Sequence, residues 1–205
     1  MYYDAVRNDH GLPHDPFKAL VVPRPIGWIT SQDAQGRINL APYSFFNCFA
    51  TNPHIVGFSS QSWKDSVANI GETGEFVCNL ATWDLQRQMN QTSAGVGHGV
   101  NEMELAGLEA AASVAVKPPR VAATPVAFEC RHLRTIELEG LDGRSANAWL
   151  VLGQVVGVHL DESLIVDGLV DITRARPIAR LGYFDYSVVD EVFEIRRPAG
   201  AGSAT

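Results

Sequence analysis

Lys64-Asp65-Ser66 carries the clearest chemistry in this 205-residue chain. A lysine, a hydroxyl and the amides of a helix start together make a site for a phosphate or another anion. An ordinary capped helix with solvated charges reads the same way, and local pattern alone favours it. Asp65 fits a first-turn anchor better than a direct ligand, because a carboxylate repels phosphate. Upstream, small polar side chains stand at the ends of apolar runs: Thr30 and Ser31, Ser44 and Asn47, Ser59 and Ser60. Each could meet the polar edge of a planar ring, or simply close a turn. Arg24, held between Pro23 and Pro25, could bind a phosphate or a substrate carboxylate, or pair with a surface acid. Trp28 could lie beside a flat ligand or fill the core. His98 could donate to a substrate or relay a proton; it could equally be an exposed loop residue.

The elements that must position these groups read mainly as strands. Residues 1–16 form an extended arm with Pro13 and Pro16, and Lys18 to Val22 reads as a short strand. Ile26 to Ser31 and Ile38 to Ala41 make a hairpin around Asp33-Ala-Gln-Gly36, where Gly36 is free to take positive φ. Pro42 marks an edge, a bulge or a strand end. A strand follows from His54 to Ser59. Ser62-Trp-Lys-Asp65 matches a capping box, opening a helix to about Thr73 that ends near Gly74. Glu75 to Ala81 is a strand, and Thr82 caps a helix through Leu85 and Met89. Residues 91–101, with Gly95, Gly97 and Gly99, read as a mobile loop or lid. A short helix over Glu102 to Leu108 is followed by a strand from Val126 toward Leu138. A turn at Leu141-Asp-Gly143 leads to the long apolar run Ala148 to Leu160. Ser163 to Val170 reads as a short helix or turn, Arg174 to Arg180 as a loop, and Phe184 to Ile195 as the last strand. The tail 196–205 reads as disordered. Hairpins dominate and helices do not alternate with strands, so a barrel or sandwich is expected and a doubly wound sheet is not.

Composition removes several function classes. The net charge of −7 and pI near 5.3 argue against a general nucleic-acid footprint. Cys48, Cys78 and Cys130 form no metal-type pair, and an odd count makes a poor disulfide framework; buried free thiols of a reducing compartment are expected. The polar N-terminus has no signal core, and no apolar run approaches the ~20 residues needed to cross a bilayer. A cytoplasmic protein without membrane contact follows as the expectation. The six histidines show no metal-ligand spacing, and His132 and His159 read as structural. No dinucleotide fingerprint, phosphate-loop lysine or nucleophile elbow is present.

In order, PRPIGWITS, GRINLAPYSFFN, NPHIVGFSS, KDSVANI, GEFVCNLA, NEMELAGL, PPRV with TPVAFEC, GQVVGVHLD and ARLGYFDY resemble the flavin-reductase-like, FMN-binding split-barrel family. The resemblance covers roughly residues 15–190. It implies an antiparallel Greek-key split barrel with peripheral helices, as one domain over 17–195. It also implies a homodimer with FMN near each interface; FAD remains possible. Bound flavin in such proteins takes hydride from NAD(P)H, or is reduced and passed to a monooxygenase partner; some relatives carry electrons. Matched to the family pattern, Thr30, Ser31, Ser44, Asn47, Ser59 and Ser60 fall along the ribityl chain, phosphate or ring edge. The backbone of Ala41, Pro42 and Tyr43 would meet the ring edge, and Lys64, Asp65 and Ser66 the phosphate. Tyr183, with Phe184 and Tyr186, would cover the flavin or the dimer seam, while Arg180 would pair with an acid and hold its loop.

Overall fold

The computed structural model describes residues 1–198. Its centre is a seven-stranded antiparallel sheet: β1 Gly27–Gln32, β2 Ile38–Tyr43, β3 Phe46–Thr51, β4 His54–Gln61, β5 Glu75–Leu80, β6 Val126–Glu139 and β7 Ser145–Leu160. The spatial order is β2-β1-β5-β6-β7-β4-β3, which leaves β2 and β3 as open edges. This is the mainly β, unclosed split barrel expected. A smaller sheet pairs Arg24–Pro25 with Ile178–Arg180, and that strand with Tyr186–Val188.

β1 explains why the sheet has two cores. Successive side chains of a strand point to opposite faces, and both faces of β1 are covered. Ile29 enters one cluster with Tyr43, Phe58, Phe76, Cys78 and Val151. Trp28 enters the other with Leu40, Met89, Met103 and Ile178. Helix α2, Asp65–Thr73, closes the first core with Val67 and Ile70, one helical turn apart. It stops where Gly74 turns left-handed at φ 75° and returns its N–H to the Ile70 carbonyl at 2.9 Å. Helices α3, Gln86–Gln91, and α4, Glu102–Leu105, cover the second core through Met89 and Met103.

The β1–β2 hairpin turns at Gly36 with φ 81°, as the sequence indicates. Pro42 sits on edge strand β2, where a missing N–H leaves no ladder gap. Several expectations are corrected. Lys18 to Val22 is not a strand: Phe17–Leu20 is a helical turn, α1, with Asp15 accepting from the Phe17 amide at 2.8 Å. Its apolar run has no partner strand, and the Arg24 guanidinium takes the Lys18 and Val21 carbonyls instead. No capping box opens α2: its N-cap is Lys64, without a side-chain cap, and Ser62 lies at φ 81°. Thr82 caps no helix; it bridges Pro177, and α3 begins four residues later at Gln86. The last strand is three residues, Tyr186–Val188, and its pairing among the described residues ends with the Val189 N–H donating to the Pro177 carbonyl at 2.9 Å. Cys48 is exposed on edge strand β3, whereas Cys78 and Cys130 are buried as expected. Of the tail, 196–198 has no regular structure and 199–205 lies outside the described residues.

Candidate functional site

Edge strand β2, the N-terminus of α2 and the loop after α3 converge on a cleft of about 430 Å³. Ala41, Pro42, Tyr43, Lys64, Asp65, Ser66 and His98 all line it, as do loop residues 92–96. That volume lies within the range of small-molecule and cofactor sites.

The floor is polar and pre-arranged. Ser66 Oγ accepts from Asn39 Nδ2 at 2.8 Å, and both Asn39 and Asn69 donate to Ser31 Oγ, at 3.4 and 3.3 Å. Tyr43 is only 7% exposed. Its hydroxyl lies beside those of Ser60 and Ser66 yet makes no hydrogen bond of good geometry. Burial first of all raises its pKa, so the phenol is neutral and carries a proton to donate. At the N-terminus of α2, the Asp65 and Ser66 amides have no acceptor within the helix. Lys64 makes no ion pair among the described residues. An uncapped helix end and a free ammonium therefore face one cavity, with the buried Tyr43 hydroxyl packed beside Ser66 in its lining, and together they fit an anion attached to a polar planar body.

β2 supplies the other wall. The Leu40 amide is not spent in the ladder; Glu102 Oε2 accepts it at 3.0 Å. Because antiparallel residues alternate between ladder-bonded and outward-facing, Pro42 also faces outward and its carbonyl is free. Ala41 and Tyr43 spend their backbone groups on Ile29 and Gly27. Of the three expected ring-edge residues, only Pro42 thus offers a free backbone acceptor. Glu102 was not singled out in the sequence, since its partner is an amide 62 residues away. Burial foremost raises its carboxyl pKa, with the Leu40 amide opposing. Asn39 and Thr92 were also missed; Thr92 Oγ1 accepts from Trp28 Nε1 at 2.9 Å.

His98 ties the loop over the cleft. Arg37 Nη2 donates to His98 Nε2 at 3.2 Å, so Nδ1 carries the proton toward Asp65 Oδ1 at 3.1 Å. Arg37 is itself anchored on Asp33 at 2.5 Å.

The remaining candidates are dispersed. Ser44 and Ser59 line a side cleft that shares Pro42, Tyr43 and Lys64 with the first. Ser60 is buried and donates to the Ser62 carbonyl at 2.9 Å. Thr30 is buried, accepting from Asn79 at 2.9 Å, and Trp28 is wholly within the second core. Asn47 points outward on β3 and caps the Cys48 amide. Arg24 and Tyr183 line a second cleft of about 730 Å³ that shares Pro42 and Ser93 with the first. Arg180 pairs with no acid among the described residues; it bonds the Tyr186 hydroxyl at 2.6 Å and the Tyr183 carbonyl. His132 and His159 take structural partners, Thr135 and the buried Glu129. No metal-holding cluster exists among the described residues, and no helix there is long and apolar enough to cross a membrane.

Comparison with known proteins gives this cleft a context. Residues 19–179 match the flavin reductase like domain. An uncharacterised protein of Deinococcus radiodurans is 34% identical over 192 residues, covering 87% of this chain and 82% of its own. The crystal structure of nitrilotriacetate monooxygenase component B from Bacillus cereus superposes with a TM-score of 0.85 at 31% identity, covering 95% of this chain and 98% of that one. Pseudomonas fluorescens 2-nitrobenzoate 2-nitroreductase gives 0.85 at 25% identity over the whole of both chains.

Proposed function

This chain belongs to the flavin reductase-like family, and from that premise we propose that it is an FMN-dependent oxidoreductase whose flavin occupies the cleft between β2 and α2. One observation carries the reading: Lys64, which has no ion-pair partner among the described residues, and the uncapped start of α2 meet edge strand β2 in one cleft. Free helix amides and a cation that converge on one cavity attract an anion, so a phosphate is its natural occupant. In this reading the Asp65 and Ser66 amides and Lys64 hold the phosphate. The Pro42 carbonyl accepts from the ring's polar edge, and the loop carrying His98 shields the site from water.

Bound FMN would supply the hydride chemistry, with NAD(P)H as donor and oxygen, a monooxygenase partner or a small molecule as acceptor. The chain's own residues bind, orient and exclude water, so no strong acid–base pair is needed. The name of the Bacillus cereus neighbour, a monooxygenase component, supports a partner. Exposed apolar residues such as Phe49, Leu133 and Ile136 support a homodimer, since such surface commonly marks an interface. The second cleft favours one further reading, in which bound FMN acts directly on a dedicated organic substrate.

Anaerobic titration of FMN-loaded protein with NADH and then NADPH separates these. Loss of the flavin absorbance with either nucleotide supports the reductase. A flavin that neither nucleotide reduces refutes it and leaves the dedicated-substrate enzyme or an electron carrier.

A further inference from the structure

The second cleft collects positive charge without a counter-ion. Arg24 is 7% exposed, and its guanidinium bonds only main-chain carbonyls: Lys18, Val21 at 2.6 Å and Leu181 at 2.8 Å. Its Nε has no partner among the described residues. Arg180 lies directly opposite Arg24 in the register of the small sheet. Two of its donors are used by Tyr186 and the Tyr183 carbonyl, and the guanidinium lies 4.6 Å from the Tyr186 ring. Lys18 lines the same cleft. None of the three meets a carboxylate among the described residues. Asp15, the one acid among the described residues that line the cleft, accepts instead from the Phe17 amide.

Carbonyl dipoles solvate a guanidinium but do not neutralise it, and a buried cation without an anion is costly. Burial first, and then the repulsion of Arg180, lowers the Arg24 pKa. In a chain of net charge −7, this concentration of cations is not a consequence of composition. The walls suit a flat ring. Phe184 and Tyr186 line the cleft and continue into a neighbouring space of about 570 Å³ that adds Trp83 and Ile178. Pro42 and Ser93 line both clefts, so the occupant of the second lies within two residues' width of whatever fills the first.

We propose that the second cleft binds the co-substrate, a planar ring carrying an anionic group, with Arg180, Arg24 and Lys18 recognising the anion. The placement beside a flavin rests on the function proposed above; the anion site does not. Two sources share this chemistry: an aromatic carboxylate, and a phosphate of a pyridine nucleotide. Calorimetric titration with benzoate, benzamide and ADP-ribose, with and without added FMN, tests the proposal. The expected result is that benzoate or ADP-ribose binds, that benzamide binds at least tenfold more weakly than benzoate if benzoate is the ligand, and that Arg180→Gln weakens the anion about 10-fold or more. FMN affinity, followed by flavin fluorescence, should stay within about twofold. Benzoate binding assigns the carboxylate source and ADP-ribose binding the nucleotide source. Lys18→Met, on an exposed turn, should weaken the same anion if Arg180→Gln alters folding. Binding of neither anion, or anion affinity unchanged in both variants, overturns the proposal. Anion binding without FMN binding would uphold it while refuting the flavin reading.

Discussion

The Tyr43 hydroxyl gives a prediction with opposite signs in the free and ligand-bound protein. Tyr43 is 7% exposed, and its ring packs 4.5 Å from that of Phe58. Tyr43→Phe keeps that ring and removes only a buried hydroxyl that lacks a partner. An unsatisfied buried polar group costs about 1–3 kcal/mol, and part of that is recovered when the group is deleted. The free variant should therefore be as stable as the parent or more so, by up to about 1 kcal/mol. If the hydroxyl donates to bound FMN, the variant should lose about 0.5–1.5 kcal/mol of binding, or roughly 2- to 12-fold in affinity. Urea unfolding of free protein and fluorescence titration with FMN read the two halves. A free variant destabilised by more than about 1 kcal/mol would mean that the hydroxyl is satisfied without ligand, and the reasoning would fail.

Other outcomes follow from the same geometry. Glu129 is buried and accepts from the Val114 and Ala115 amides and from His159; Glu129→Gln should destabilise the fold by about 3 kcal/mol in chemical denaturation. Burial pushes the Glu129 carboxyl up, but His159 and the two amides outweigh it and hold the pKa below the usual glutamate value. Its contribution is thus complete above the unfolded glutamate pKa and disappears as pH falls through the lower folded one, and an acid unfolding series on parent and variant should converge there. His98 is 60% exposed, so His98→Ala should change stability by less than about 0.5 kcal/mol; cleavage of the 92–100 loop by a nonspecific protease should quicken. A Cβ at Gly153 would run into the Phe76 ring, and Gly153→Ala should cost about 1–3 kcal/mol of unfolding free energy.

Local patterns were legible in the sequence where local forces decide. The Gly36 turn, Pro42 on an edge and the Gly74 stop each follow from a single residue's backbone preference. Residues 41–43 and 64–66 line one cleft; the family resemblance put them together, whereas the local pattern of Lys64-Asp65-Ser66 by itself favoured an ordinary helix start. What escaped depends on partners distant in sequence. Lys18 to Val22 has strand composition, yet the Arg24 guanidinium takes its carbonyls and no strand lies alongside. Glu102 enters the site by accepting an amide from edge strand β2, which no periodicity in its own helix reports. Thr30 and Trp28 resemble cavity residues by type, but strand alternation turns them into the second core. Cys48 shares its apolar setting with Cys78, and only the position of β3 at the sheet edge exposes it.

The most direct measurement is a paired fluorescence titration of the flavin-free protein with FMN and with riboflavin, repeated on Lys64→Ala. Saturable FMN binding at one site per chain is the expected result. Riboflavin should bind at least tenfold more weakly, because it lacks the phosphate that α2 and Lys64 would hold. Lys64→Ala should narrow that gap. Equal affinities for the two flavins would contradict the phosphate site, and failure to bind either would contradict the account at its centre.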